Sequence, residues 1–120
     1  MNRKPKYTLF KNSRYAFEGF IHMLKVETSF KIELFVGVFA FTLILILPFT
    51  LWQQFALIGA YFLLLIVETL NSAIENVVDL VTQDHHLLAK AAKDVASAAV
   101  MLSIVLNLIL WSISLVSIFF

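Results

Sequence analysis

Glu68, Asn71, Glu75 and Asp79 form a polar ladder in the run IVETLNSAIENVVDL, which directly follows the apolar stretch FALIGAYFLLL. At 100° per residue their side chains fall within an arc of roughly 80° on one helix face. Each carboxylate at membrane depth costs about 2.5–3.5 kcal/mol to insert, so such groups mark a functional site by default. Glu68 and Glu75 stand about 10 Å apart along a helix axis. That separation suits one carboxylate near a metal-bound phosphate and the other near an acceptor hydroxyl. With Ser72 the face is rich in oxygen, the donor type that a hard cation such as Mg²⁺ takes, commonly through one or two carboxylates plus substrate phosphates. Further along, Lys90, Lys93, Asp94 and Ser97 share an arc of roughly 100° at the start of the next helix. A lysine ammonium is a flexible point charge suited to phosphate. An acidic face opposite a basic one points to a nucleotide with its metal. The competing reading is an interhelical ion-pair set, such as Lys93 with Glu75.

Other polar groups are weighed against these. Glu27, in VETSF, lies near the expected metal depth and could give the cation a second carboxylate, or could be a solvated charge on an interfacial helix. Asp84, His85 and His86 adjoin one another, but adjacent histidines do not aim at one metal from a helix, and no further nitrogen or sulfur ligand has recognisable spacing. They read as loop residues near a nucleotide base. Trp52 and Trp111 read as anchors at the far interface or as packing between helices. The only glycines are Gly19, Gly37 and Gly59, so no glycine-rich phosphate loop exists, and the protein-kinase motif set is missing too. With no cysteine in the chain, disulfides and thiolate metal sites are excluded.

The elements that must position these groups follow from composition. Of 120 residues 61% are hydrophobic, too many for an ordinary soluble domain. No charge occurs from Leu34 to Val67 or from Val95 to Phe120. A helix needs about 20 residues to cross the hydrocarbon, so the first stretch holds more than one crossing. Pro48 and the Trp52–Gln53–Gln54 cluster divide it. The expected spans are residues 33–51, 55–78 and 94–120, in a single all-α membrane domain. A cleaved signal peptide is not expected, because the first span begins late and lacks a small-residue cleavage site. Ahead of it, residues 8–31 place Phe10, Phe17, Phe20, Ile21 and Leu24 on one side, with Lys11, Arg14, Glu18 and Lys25 largely opposed. That pattern is an amphipathic helix lying in the membrane interface. Thr82–Leu88 reads as a short loop, after which a helix restarts near Leu88 with small residues that permit close packing. Arg3, Lys4, Lys6, Lys11, Arg14, Lys25 and Lys31 precede the first span, and Lys90 and Lys93 lie between the second and third. By the positive-inside rule the N-terminus and the polar ladder face the cytoplasm.

ETLNSAIENVVDL at 68–80 and HHLLAKAAKDVASAAV at 85–100 resemble the small prokaryotic integral-membrane diacylglycerol kinases, and RYAFEGFIHMLKVETSFKIEL at 14–34 is similar to their amphipathic entry helix. The resemblance covers nearly the whole chain. It implies an ATP-dependent kinase of a lipid hydroxyl in the bacterial cytoplasmic (inner) membrane, acting as a homotrimer with active sites shared between subunits. Its partners would be a membrane lipid, ATP and copies of itself, with no nucleic acid. By motif position Glu68 would be the catalytic base, and Glu27 and Glu75 would hold Mg²⁺ on the ATP phosphates. Asn71, Lys93 and Asp94 would contact the nucleotide or organise the site, with Tyr15 and the Asp84–His86 loop adding to ATP binding. Asn12, Ser13 and Arg14, the segment Ser29, Phe30, Lys31, Ile32 and Glu33, and Ser97 would border the lipid. One departure stands out: Thr8 occupies the place of an arginine common in the family seven residues before the tyrosine, and Lys6 or Lys11 is the candidate to replace it.

Related Gram-positive enzymes phosphorylate undecaprenol, and their segments more often read NTAIE and AKDAAAGAV. This chain has NSAIE and AKDVASAAV, and its TSFKIEL stretch looks more like the diacylglycerol branch. The product expected is therefore phosphatidic acid, with undecaprenyl phosphate as the alternative. A non-enzymatic assembly or channel, its pore lined by the carboxylate ladder, is the reading from a different class. It leaves Lys90 and Lys93 opposite the acids without a role.

Overall fold

In the computed structural model, which describes residues 8–120, the chain is four helices: α1 (Leu9–Val26), α2 (Thr28–Ile46), α3 (Leu51–Val81) and α4 (Leu87–Phe119). Arg3, Lys4 and Lys6, part of the basic segment expected to face the cytoplasm, lie outside the described residues.

Thr8 opens α1 by accepting the Lys11 N–H on its Oγ1 at 3.3 Å, a side-chain N-cap. Position 8 thus has a local structural task. The helix stops at Val26, short of the expected residue 31, because Glu27 is extended at φ −100° and ψ 108°. Its N–H closes α1 on Met23 O at 2.9 Å, and its C=O accepts from Lys31 N at 3.3 Å in α2. The β-branched Val26 and Thr28 on either side favour this break. The first span accordingly starts at Thr28 rather than 33, five residues early. It ends at Ile46 rather than 51, since Pro48 holds Leu47 in the extended region.

The second span is also longer than the expected 55–78. Trp52, Gln53 and Gln54 lie in the first turn of α3 instead of dividing two helices. Thr50 and Gln53 form a capping box, with Gln53 N donating to Thr50 Oγ1 at 3.2 Å and Thr50 N to Gln53 Oε1 at 2.9 Å. Gln54 Nε2 donates to Ile44 O at 3.1 Å, supplying a partner to the C-terminal end of α2. α4 starts at Leu87 rather than 94, and its N-cap is His86, whose Nδ1 accepts from Leu88 N at 3.0 Å.

α3 and α4 run antiparallel. Asp79 meets Lys93 near the loop, Ala60 O meets Asn107 at mid-length, and Gln53 meets Ser117 at the far end. There Ile44, Phe49 and Leu57 form the buried apolar cluster, joined by Trp111, whose ring stands edge-on to Phe49 at 6.0 Å. Phe30 is 1% exposed and packs edge-on to Phe20 at 5.4 Å, tying α1 to α2. Three helices, α2, α3 and α4, are long and apolar enough to cross a membrane. At 31 residues, α3 is about 46 Å long, well beyond a hydrocarbon core of about 30 Å. Its surplus is the polar end that carries Glu75 and Asp79. Much of the apolar surface on α2 and α4, including Phe35, Phe39, Leu102 and Ile113, remains exposed, as lipid or neighbouring chains require.

Candidate active site

The break at Glu27 brings two segments against the polar face of α3. Ser72 Oγ donates to Glu27 Oε1 at 2.9 Å, and Ser29 Oγ donates to Glu68 Oε2 at 3.3 Å. Glu27 makes no side-chain cap for α2, because its carboxylate turns to α3 instead. On α3, Asn71 Nδ2 donates to Glu75 Oε1 at 3.2 Å, the one-turn spacing of the ladder. These groups surround a cavity of about 220 Å³ lined by Glu27, Ser29, Glu68, Asn71, Ser72, Glu75 and Ser97, with Met23 and Val100 as its apolar wall. Glu68 and Ser72 are buried, while Glu27, Asn71 and Glu75 are half-buried.

Six of the expected site residues thus line one cavity: Glu27, Ser29, Glu68, Asn71, Glu75 and Ser97. Glu33 stands beside Glu68 and lines the neighbouring groove between α2, α3 and α4. The rest lie elsewhere in the single chain. Asn12, Ser13, Arg14 and Tyr15 are exposed on α1, where Arg14 Nε pairs with Glu18 at 3.6 Å and its guanidinium lies 5.9 Å from the Tyr15 ring centre. Phe30 is committed to the core, and Lys31 and Ile32 are exposed. Asp84 and His85 are exposed in the loop, where the Asp84 N–H bonds Thr82 Oγ1 at 3.1 Å. His86 serves as the cap of α4.

The lysines pair differently from the ion-pair set considered above. Lys93 Nζ lies 2.6 Å from Asp79 Oδ1, not on Glu75, and Lys90 Nζ lies 2.6 Å from Asp94 Oδ2. Asp79 holds Lys93 because the last turns of α3 face the second turn of α4, whereas Glu75 is engaged by Asn71 and faces the cavity. Both pairs are exposed, so neither binds its lysine strongly.

Among the described residues no group of three histidine, cysteine or acidic side chains is placed to hold a metal unaided. The donor set is nevertheless all oxygen, which fits a hard divalent ion completing its shell with water and phosphate. Asn71 Oδ1 is buried with no hydrogen-bond partner among the described residues, an acceptor left over on a residue that lines the cavity. Ser72 is the site residue to which sequence reasoning gave no role beyond a place on the oxygen-rich face. Its position one turn after Glu68 marked that face, but its bond to Glu27 depends on how the helices pack.

Comparisons with known proteins identify the family. The family model described as prokaryotic diacylglycerol kinase matches residues 14–115. A diacylglycerol kinase of Haemophilus influenzae is 32% identical over 103 residues, covering 86% of this chain and 87% of the relative. A diacylglycerol kinase of Escherichia coli is 49% identical over 59 residues, 49% of this chain and 48% of the relative. An undecaprenol kinase of Bacillus subtilis is 54% identical over 56 residues, 47% of this chain and 43% of the relative.

Proposed function

The chain belongs to the prokaryotic diacylglycerol kinase family and is a lipid kinase, and on that premise we propose that it transfers the γ-phosphate of ATP to the primary hydroxyl of diacylglycerol, giving phosphatidic acid at the cytoplasmic face of a bacterial inner membrane. The observation that carries the reading is the cavity where the buried Glu68, with Ser29 on its carboxylate, shares space with Glu27, Asn71 and Glu75.

Glu68 is the general base. It is the most buried of the acids, next to Glu33 at the mouth of an apolar groove of about 570 Å³ that runs between α2, α3 and α4. A lipid entering sideways from the bilayer lays its chains in that groove and brings its hydroxyl to Glu68, which accepts the proton as the oxygen attacks the γ-phosphorus. The bond from that phosphorus to the bridging oxygen breaks and ADP leaves. Glu27 and Glu75, nearer the polar end, hold Mg²⁺. The ion, when bound, neutralises charge on the phosphate oxygens. Asn71 lines the nucleotide side of the cavity, where its amide steadies Glu75. Lys93 leaves its exposed partner Asp79 to offset charge on the transferring group. Tyr15 and the Asp84–His86 loop complete the ATP site, with Lys6 or Lys11 in place of the N-terminal arginine; Lys6 lies outside the described residues.

Two further elements belong to this reading. α1, with Phe10 and Phe17 exposed beside Lys11, Arg14 and Lys25, lies in the interface. Three copies assemble and share their active sites, so that the α1 and loop residues remote in one chain are completed by a neighbour. The match to the Haemophilus influenzae diacylglycerol kinase over most of both chains favours diacylglycerol, while the local identity to the Bacillus subtilis enzyme supports undecaprenol as the second reading. Transfer of labelled γ-phosphate from Mg·ATP in mixed micelles, with dioleoylglycerol and undecaprenol in parallel, decides between them. Labelled phosphatidic acid is expected as the main product. Dominant undecaprenyl phosphate moves the protein to the other branch, and labelling of neither by assembled protein refutes the assignment.

A further inference from the structure

The groove beside Glu68 follows α2 from Glu33 to Ile44, about 16 Å along the helix. Near its middle α2 carries Gly37, which is buried, and the Tyr61 ring of α3 fills the space where a side chain would stand. A Cβ at position 37 would overlap Tyr61 Oη and Cζ and come within 2.9 Å of Cε2. From this notch Tyr61 Oη donates to Glu33 O at 3.0 Å, one turn up α2. Glycine weakens a helix interior, so its place here has a packing reason, and the close approach of Tyr61 supplies it. Tyr61 lies seven residues before Glu68, so the notch sits about 10 Å below the base along α3. An octanoyl chain anchored at Glu68 ends near that level, whereas an oleoyl chain runs past it.

We propose that Tyr61, parked in the Gly37 notch, is a specificity-determining residue that keeps its ring out of the groove where a long lipid chain must pass. The inference rests on the reading that the substrate's chains lie in this groove. A side chain at position 37 would drive the ring out of the notch, and both residues border the groove, so the displaced ring would obstruct it.

Purified full-length variants in mixed micelles with Mg·ATP are assayed on dioleoylglycerol and dioctanoylglycerol, with undecaprenol and geraniol as the second long and short pair. Gly37→Ala should raise KM for the long-chain member of the accepted pair about five-fold or more, and shift the short-chain KM less than about two-fold. Gly37→Ala combined with Tyr61→Ala should restore the long-chain KM, because the displaced ring is gone. Equal losses on both chain lengths, or no restoration in the double variant, overturn the proposal. If Gly37→Ala does not assemble, Tyr61→Trp decides in its place: its larger ring does not fit the notch, so the ratio of long-chain to short-chain KM must rise, and an unchanged ratio overturns the proposal. Turnover of neither pair by the unsubstituted protein refutes instead the lipid-substrate reading underneath it.

Discussion

Removing one hydroxyl, in Ser72→Ala, tests whether Glu27 is held for a metal. Ser72 is 6% exposed and its Oγ lies 2.9 Å from Glu27 Oε1, inside the usual range for an O–H···O bond. Hydrogen bonds to charged groups contribute about 1.5–3 kcal/mol. Glu27 is half-buried, so water can partly replace the lost donor, which places the effect at the lower end. At about 1.4 kcal/mol per decade, kcat/KM should fall roughly ten-fold. The loss should appear mainly as a higher Mg²⁺ concentration for half-maximal phosphate transfer, because the carboxylate that loses its anchor is the one assigned to the ion. Ser72→Thr keeps the hydroxyl and should retain most of the activity. Ser29→Ala is the internal comparison: its bond to Glu68 is 3.3 Å, longer than a strong O–H···O bond, and its loss should cost about three-fold or less. Assays in mixed micelles across a Mg²⁺ series read both quantities. An assembled Ser72→Ala protein with unchanged Mg²⁺ dependence and kcat/KM would refute the role given to Glu27, as would a larger loss from Ser29→Ala.

The same cavity yields further expectations. Glu68→Gln should lower turnover by about 100-fold or more while leaving assembly and binding of a fluorescent ATP analogue intact; retained turnover removes Glu68 from the base role. Glu75→Gln should raise the Mg²⁺ requirement at least about ten-fold, and chelation with EDTA should stop the unsubstituted enzyme until Mg²⁺ is restored. Lys93→Met should cost about 100-fold in kcat, whereas Asp79→Asn should cost about three-fold or less, since an exposed ion pair contributes only about 0–1 kcal/mol. Equal losses from those two substitutions would mean that the pair itself, not the free ammonium, is what matters.

The polar ladder was legible in the sequence because it depends only on helical periodicity. Glu68, Asn71 and Glu75 share a face wherever α3 begins or ends, so errors of several residues in the span limits did not disturb it. The limits themselves were harder to read, because polar residues near a helix end have two uses. Gln53 and Gln54 look like an interruption in a hydropathy pattern, yet one closes a capping box and the other bonds Ile44 O. Glu27 poses the same difficulty at the α1–α2 break. The apolar pattern continues one helix through it to residue 31. Val26 and Thr28 are only a weak local signal for the break, and the bond that holds the Glu27 carboxylate comes from Ser72, 45 residues away. No spacing rule reaches that far.

The break also has a mechanical consequence. Had α1 and α2 been continuous, Glu27 and Ser29 would have been fixed on the faces that a straight helix assigns them. With Glu27 extended, its carboxylate reaches Ser72 while Ser29, two residues on, reaches Glu68. The acid assigned to the metal and the group bonded to the base are thus placed by one interruption of the helix. Their separation is set by the backbone of three residues and by the single turn of α3 between Glu68 and Ser72, which leaves little slack in the relative position of phosphate and hydroxyl.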